Sequence, residues 1–168
     1  DSPDRQFAVA RLSQEFSLAR QKNQRTLSLR LAALLIRLGG QPDRAPAAET
    51  LTSEGLEAFS PLPLIVLAEI FAEAGDFAAV ECIAGEFKTR FPDSDLLLDM
   101  IHVEAAAALS ARQYEKAIVL AAGALRQFST DPRAGLSWKL QADARRLSQD
   151  WTGAIESYQK IFSVRRTH

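Results

Sequence analysis

Apolar residues recur along most of the chain at intervals of three and four, which is the spacing of one face of an α-helix. One such run covers residues 64–71 and another covers 118–125. A capping residue followed by proline, as in Ser60-Pro61, is typical of a helix start. The pattern predicts helices near 62–74, 76–90, 95–111, 113–128, 133–148 and 150–164.

The pattern repeats after 37 residues, because an aromatic residue stands at Phe77, Tyr114 and Trp151. Three positions after each aromatic comes a small or modest apolar residue: Val80, Ala117 and Ala154. Alanines before the aromatics keep the same interval: Ala68, Ala105 and Ala142. Such a period indicates a repeated unit of two helices joined by a tight turn. We expect the alanines where helices approach closely, and the aromatics in the space between units.

These positions resemble the motif of the tetratricopeptide (TPR) family, whose unit is a helical hairpin. Ala117 and Ala154 fall on its near-invariant alanine, and Trp138 falls on its first large residue. The resemblance implies an all-α, right-handed superhelical array of antiparallel hairpins with about 8–9 helices. It covers residues 61–168 as three units, at about 61–97, 98–134 and 135–168.

The longer period is similar to that of a bacterial envelope subgroup of the family, together with the Phe-Pro-Asp-Ser segment at 91–94. That subgroup includes the Tol–Pal-associated periplasmic coordinator and the outer-membrane barrel-assembly lipoprotein. The sequence departs from the family motif at Val80, which replaces the alanine, and at Arg145, which replaces an aromatic. The resemblance implies a location in the periplasm or cell envelope, with the cytoplasm as the alternative.

Upstream of residue 61 the repeat is looser. Leu27, Leu31 and Leu34 stand 37 residues before Leu64, Ala68 and Phe71, and they predict the first helix of a degenerate hairpin over 27–60. Its second helix is expected from about residue 47 to 59, after a proline-containing segment. Residues 1–26 are predicted to form an N-terminal capping helix.

Composition excludes several classes of protein. The chain contains 28 Ala and 22 Leu, and 47% of its residues are hydrophobic. This is enough to bury a sizeable core, so the composition excludes a disordered chain. The longest apolar runs, residues 31–36 and 117–122, are far shorter than the roughly 20 residues of a membrane span. The single cysteine, Cys82, excludes an internal disulfide and a paired-cysteine metal site. Basic residues between Arg20 and Arg37 lack the interleaved aromatics typical of nucleic-acid binding.

No serine or cysteine has a nearby base at a readable spacing, so we predict no enzyme activity. The glycine pair at 39–40 has no phosphate-loop continuation, and the loop with Asp93, Asp95 and Asp99 lacks the glycine of a calcium site, so we also predict no cofactor and no metal site. The TPR resemblance places the first helix of each unit on the concave side of the array. We expect a peptide or partner helix in that groove, with its positive end near Glu69 and Glu73. The alignment assigns nine residues to the groove: Ile65, Glu69, Glu73, His102, Ala106, Leu109, Lys139, Asp143 and Arg146. An alternative for His102 is a partly exposed surface imidazole.

The predicted function is a non-catalytic protein-interaction scaffold in a bacterial envelope or secretion assembly. The alternative is a helical accessory or regulatory domain of a larger enzyme or regulator, since the chain starts at Asp1 and its only methionine is Met100. At the other end, Ile155, Tyr158 and Phe162 lack a covering neighbour in the sequence. Further chain or another molecule is expected there, including a second copy that makes a homo-oligomer.

Overall fold

The computed structural model describes residues 3–39, 41–56 and 59–164. Every regular element in these residues is a helix, so the all-α prediction is confirmed. A short 3₁₀ turn, Pro132–Ala134, precedes the eighth α-helix. The α-helices of the described residues are α1 (Pro3–Gln21), α2 (Arg25–Leu38), α3 (Gln41–Glu54), α4 (Pro61–Glu73), α5 (Phe77–Arg90), α6 (Leu97–Ser110), α7 (Tyr114–Gln127), α8 (Gly135–Leu147) and α9 (Trp151–Val164).

The bounds of the helices repeat with the same 37-residue period as the sequence. Helices α4, α6 and α8 end at Glu73, Ser110 and Leu147, which are 37 residues apart. The helices that follow them, α5, α7 and α9, begin and end at the same interval. These six helices therefore form three hairpins whose turns fall at equivalent positions.

The turn within each hairpin contains one residue in the left-handed region, with φ of 76° at Gly75, 60° at Arg112 and 68° at Gln149. In the first turn the N–H of Asp76 donates to the carbonyl of Phe71 at 3.0 Å, and the same bond recurs in the other two. This is the Schellman arrangement, which satisfies the last carbonyls of a helix. Only the first turn uses glycine, so the other two adopt a conformation that costs an L-residue energy.

Close contact between helices depends on the small residues of the repeat. Ala68, Ala105 and Ala142 are fully buried. The aromatic positions differ from one another, because Phe77 is buried, Tyr114 is half-buried and Trp151 is 61% exposed. The expectation that each aromatic fills a space between units is therefore wrong at Trp151, since no described helix packs beyond α9.

Helices α1, α2 and α3 do not follow the 37-residue register. The turn between α1 and α2 has the Schellman bonds of the later hairpins, with Asn23 at a φ of 55°. The helix expected from about residue 47 begins at Gln41, and Pro46 lies inside it. Helix α2 contacts α1, α3 and α4. Helix α3 contacts α5 and, within the described residues, makes little or no contact with α4.

The side chains of α2 also contradict the proposed alignment. Leu27 and Leu34, which were aligned with the buried Leu64 and Phe71, are each 44% exposed. The buried face of α2 contains Leu29, Ala32, Leu35 and Ile36 instead. Helix α2 is therefore rotated relative to the prediction, and Leu27, Leu34 and Leu38 face outward.

The helices are arranged in two layers. Helix α2 packs against α4, α4 against α6, and α6 against α8. Among the described residues, the pairs α5–α7 and α7–α9 make little or no such contact. We term α2, α4, α6 and α8 the first-helix layer. In the part of the chain that the structure describes, no helix is long and apolar enough to span a membrane.

Candidate interaction surface

With the exception of Leu140 on α8, each helix of the first-helix layer leaves the same four positions open: its last residue and the residues four, seven and eleven before it. This spacing keeps the four side chains on one side of a helix. Only Leu140 of the sixteen side chains is buried, and the others are exposed or half-buried. We term these sixteen residues the stripe face. They are Leu27, Leu31, Leu34 and Leu38 on α2; Leu62, Val66, Glu69 and Glu73 on α4; Asp99, Val103, Ala106 and Ser110 on α6; and Leu136, Leu140, Asp143 and Leu147 on α8.

The stripe face is rich in exposed apolar side chains. The described residues include twelve large apolar side chains that are exposed, and seven of them lie on this face. The seven are Leu27, Leu34, Leu38, Leu62, Val66, Leu136 and Leu147. Single exposed leucines are ordinary on a protein surface, but a concentration on one face is typical of an interaction site.

Two of the four acidic residues of the stripe face are paired with described basic side chains, and the other two are not. Asp99 accepts a hydrogen bond from Arg133 at 2.6 Å. Asp143 accepts one from Lys139 at 2.9 Å and another from the hydroxyl of Tyr158 at 2.5 Å. Glu69 and Glu73 are exposed, and no described basic side chain pairs with either of them. The unpaired negative charge of this face is therefore on α4.

The structure divides the nine residues that were predicted to line the groove. Seven are open to solvent or half-buried, and four of these seven belong to the stripe face. Those four are Glu69, Glu73, Ala106 and Asp143, while Leu109, Lys139 and Arg146 lie on the same helices outside it. The prediction is wrong for Ile65 and His102, which are 6% and 7% exposed because neighbouring helices cover them.

His102 forms a buried polar pair rather than a groove contact or a surface imidazole. Its Nε2 atom lies 2.8 Å from the hydroxyl oxygen of Ser137, which is fully buried on α8. Burial lowers the pKa of His102, opposed by the carboxylates of Asp99 and Asp131 and assisted by Arg133. The Nε2 atom of a neutral imidazole can form one hydrogen bond with a hydroxyl, as donor or as acceptor, so the pair joins α6 to α8.

Sequence reasoning missed the leucines of α2 as surface residues. Their spacing of four, three and four was visible, but an apolar stripe on a helix is the same signal whether it faces the core or a partner. Helix α2 carries a second apolar set, which includes Leu29 and Ile36, and the structure buries that set. The periodicity of the sequence alone does not show which of the two apolar sets of α2 is buried.

Two other surface features lie near the N-terminal helices. Two clefts of about 460 and 390 Å³ lie beside Asp43, whose carboxylate accepts a 2.6 Å hydrogen bond from Ser13. Phe16 and Arg20 line the larger cleft. Among the described residues there is no group of three or more His, Cys, Asp or Glu side chains placed to hold a metal ion.

Comparisons with protein-family models, with curated proteins and with solved structures find no match to this chain. Its function must therefore be inferred from its own surface. The stripe face combines a repeated geometry, exposed leucines and unpaired carboxylates, and it is the strongest candidate for a binding site among the described residues.

Proposed function

We propose that this chain is a non-catalytic, TPR-like interaction module that binds apolar side chains of a protein segment on the stripe face. The observation that carries this proposal is that seven of the twelve exposed large apolar side chains of the described residues lie there. Apolar surface in water is unfavourable, and covering it contributes about 25 cal/mol for each Å² removed from solvent. A partner on this face therefore gains binding free energy without any catalytic group.

Two features support the TPR-like part of the proposal. The Schellman turns at residues 75, 112 and 149 make three equivalent hairpins with a 37-residue period. The first helices of these hairpins pack against one another in a single layer. In stacked hairpin arrays, the closer-packed layer lies on the concave side, which is the usual binding surface.

The proposed setting is an envelope or secretion assembly in the bacterial periplasm. Its support is the similarity of the 37-residue period and of the 91–94 segment to envelope members of the TPR family. Separation of periplasmic and cytoplasmic fractions of the native host, followed by immunodetection of the full-length protein, tests this setting. Detection in the cytoplasmic fraction alone would contradict it.

Selection of peptides from a random displayed library on the immobilised protein tests the binding function. We expect apolar-rich peptides to be enriched, with dissociation constants that rise at least tenfold for the variants Leu34→Glu and Leu62→Glu. The matched control is Val119→Glu, because Val119 is 64% exposed on α7 in the other layer. Selected peptides that bind both stripe variants as tightly as the original protein would overturn the proposal.

A further inference from the structure

We infer that the segment bound by the stripe face is an amphipathic α-helix, with apolar residues at intervals of three and four and lysine or arginine residues beside them. This inference rests on the proposed function and adds the class of the partner. It depends on two independent features of the face: the leucine spacing on α2 and the unpaired carboxylates on α4.

The leucines of α2 match the side-chain rows of another helix. Leu27, Leu31, Leu34 and Leu38 follow one another at intervals of four, three and four. This is the spacing of the contact seam between paired helices, where side chains of one helix enter the gaps of the other. Successive leucines are separated along the helix axis by about 4.5–6 Å. An extended strand repeats its side chains on one face at about 6.6–6.8 Å and loses this match within a few residues.

Three of the four leucines in the seam of α2 are exposed, and the fourth, Leu31, packs against the core. Leu27 and Leu34 are each 44% exposed, Leu38 is 38% exposed, and Leu31 is half-buried. The neighbouring helix α4 continues the apolar surface with Leu62 and Val66, which are 60% and 46% exposed. A helix laid along α2 and α4 covers both sets of side chains.

Glu69 and Glu73 identify the charge of the partner. They lie one turn apart on α4, and like charges at that spacing repel. Glu73 is also the last residue of the helix, where the backbone carbonyls already present partial negative charge. Both effects destabilise α4, and no described cation compensates them. By contrast, Asp99 and Asp143 on the same face are paired within the chain. Basic side chains of a bound helix supply the missing countercharge.

Three synthetic peptides test the inference by fluorescence anisotropy. The first is a helix of about four turns with leucines at the seam spacing and lysines beside them. The second replaces each lysine with glutamate, and the third places a proline in the centre of the basic peptide to break the helix. We expect the basic helical peptide to bind at least tenfold more tightly than either of the others.

Charge reversal provides the second arm of the test. The double variant Glu69→Lys/Glu73→Lys should reverse the preference and bind the acidic peptide more tightly. The matched control is Glu115→Lys/Glu156→Lys, which makes the same change in net charge at exposed positions outside the first-helix layer. The control should keep the original preference for the basic peptide.

The outcomes separate this inference from the proposed function. Equal binding of basic and acidic peptides, or undiminished binding of the proline peptide, overturns the amphipathic basic helix. If that binding is still lost in Leu34→Glu, the stripe face remains the binding site and only the partner class is wrong. Binding that Leu34→Glu leaves unchanged, or no binding of any peptide, overturns both.

Discussion

The imidazole Nε2 atom of His102 on α6 lies 2.8 Å from the hydroxyl oxygen of Ser137 on α8, with both side chains buried. The pair joins two helices of the first-helix layer through a single polar contact. Burial disfavours the imidazolium form and holds the pKa of His102 below its ordinary value of 6.5. We therefore expect the stability of the packing between α6 and α8 to depend on pH.

We expect the free energy of unfolding to fall as the pH is lowered below 6.5, the ordinary pKa that His102 has in the unfolded chain. Between that value and the lowered pKa of the folded chain, the unfolded state binds more protons, so acidification favours unfolding. Urea denaturation at several pH values measures the effect in the original protein and in His102→Gln, which does not titrate. The variant should lose less stability over this range. An equal loss in both proteins would show that His102 does not contribute.

Two adjacent alanines on α6 provide a paired test of the packing. Ala105 is fully buried where helices approach, and Ala106 is exposed on the stripe face. Ala105→Leu should destabilise the fold by about 1–3 kcal/mol, because the added atoms have no space. Ala106→Leu should change stability by less than about 0.5 kcal/mol. Thermal or urea unfolding measures both, and equal effects would place the helix interface elsewhere.

The turn at Gln149 should become more stable when glycine replaces it. Its φ of 68° is strained for an L-residue, by about 1–2 kcal/mol. Glycine removes that strain, but its larger loss of conformational entropy on folding costs about 0.5–1 kcal/mol. Gln149→Gly should therefore gain about 0–1.5 kcal/mol. The same change at Gln159, exposed within α9, should cost about 1 kcal/mol. Destabilisation by Gln149→Gly would contradict the Schellman turn.

Glu104 is a buried carboxylate, only 5% exposed, and Lys88 of α5 donates a hydrogen bond to it at 2.5 Å. Lys88→Met should destabilise the fold by about 1–3 kcal/mol. This is less than breaking a fully buried ion pair costs, because the lysine side chain is 37% exposed. Adding Glu104→Gln should recover part of that loss, because no buried charge then lacks a partner. Lys139→Met, which breaks a more exposed pair, should cost less than about 1 kcal/mol. Urea titrations of the four proteins complete the comparison.

Helix α9 presents Trp151 and Ile155 at 61% and 58% exposure. We predict that a second copy of the chain covers this end and that sedimentation velocity detects concentration-dependent association. Trp151→Glu combined with Ile155→Glu should keep the protein monomeric, whereas Val119→Glu on α7 should not. A monomer at all concentrations would contradict self-association through α9. Phe162, also expected at this end, has a side chain outside the described residues.

Much of the repeat was predictable because local interactions determine it. The aromatic positions at 77, 114 and 151 coincide with the first residues of α5, α7 and α9. The alanines at 68, 105 and 142 are buried as their spacing indicates. Helix period, turn position and the need for small residues at close contacts can all be read within one unit. The register fails upstream of residue 61, where α3 packs against α5 rather than α4.

By itself, the sequence determined the helices and hairpin turns of residues 61–164 and their 37-residue period, because these follow from neighbours close along the chain. Only the tertiary structure decided which apolar stripe of α2 is buried, since either stripe suits a helix and the packing of α1 and α3 selects one. It also decided that His102 meets Ser137, 35 residues away, and that no basic side chain among the described residues pairs with Glu69 or Glu73. Burial and pairing are properties of the assembled helices, so they emerge only when the layers pack.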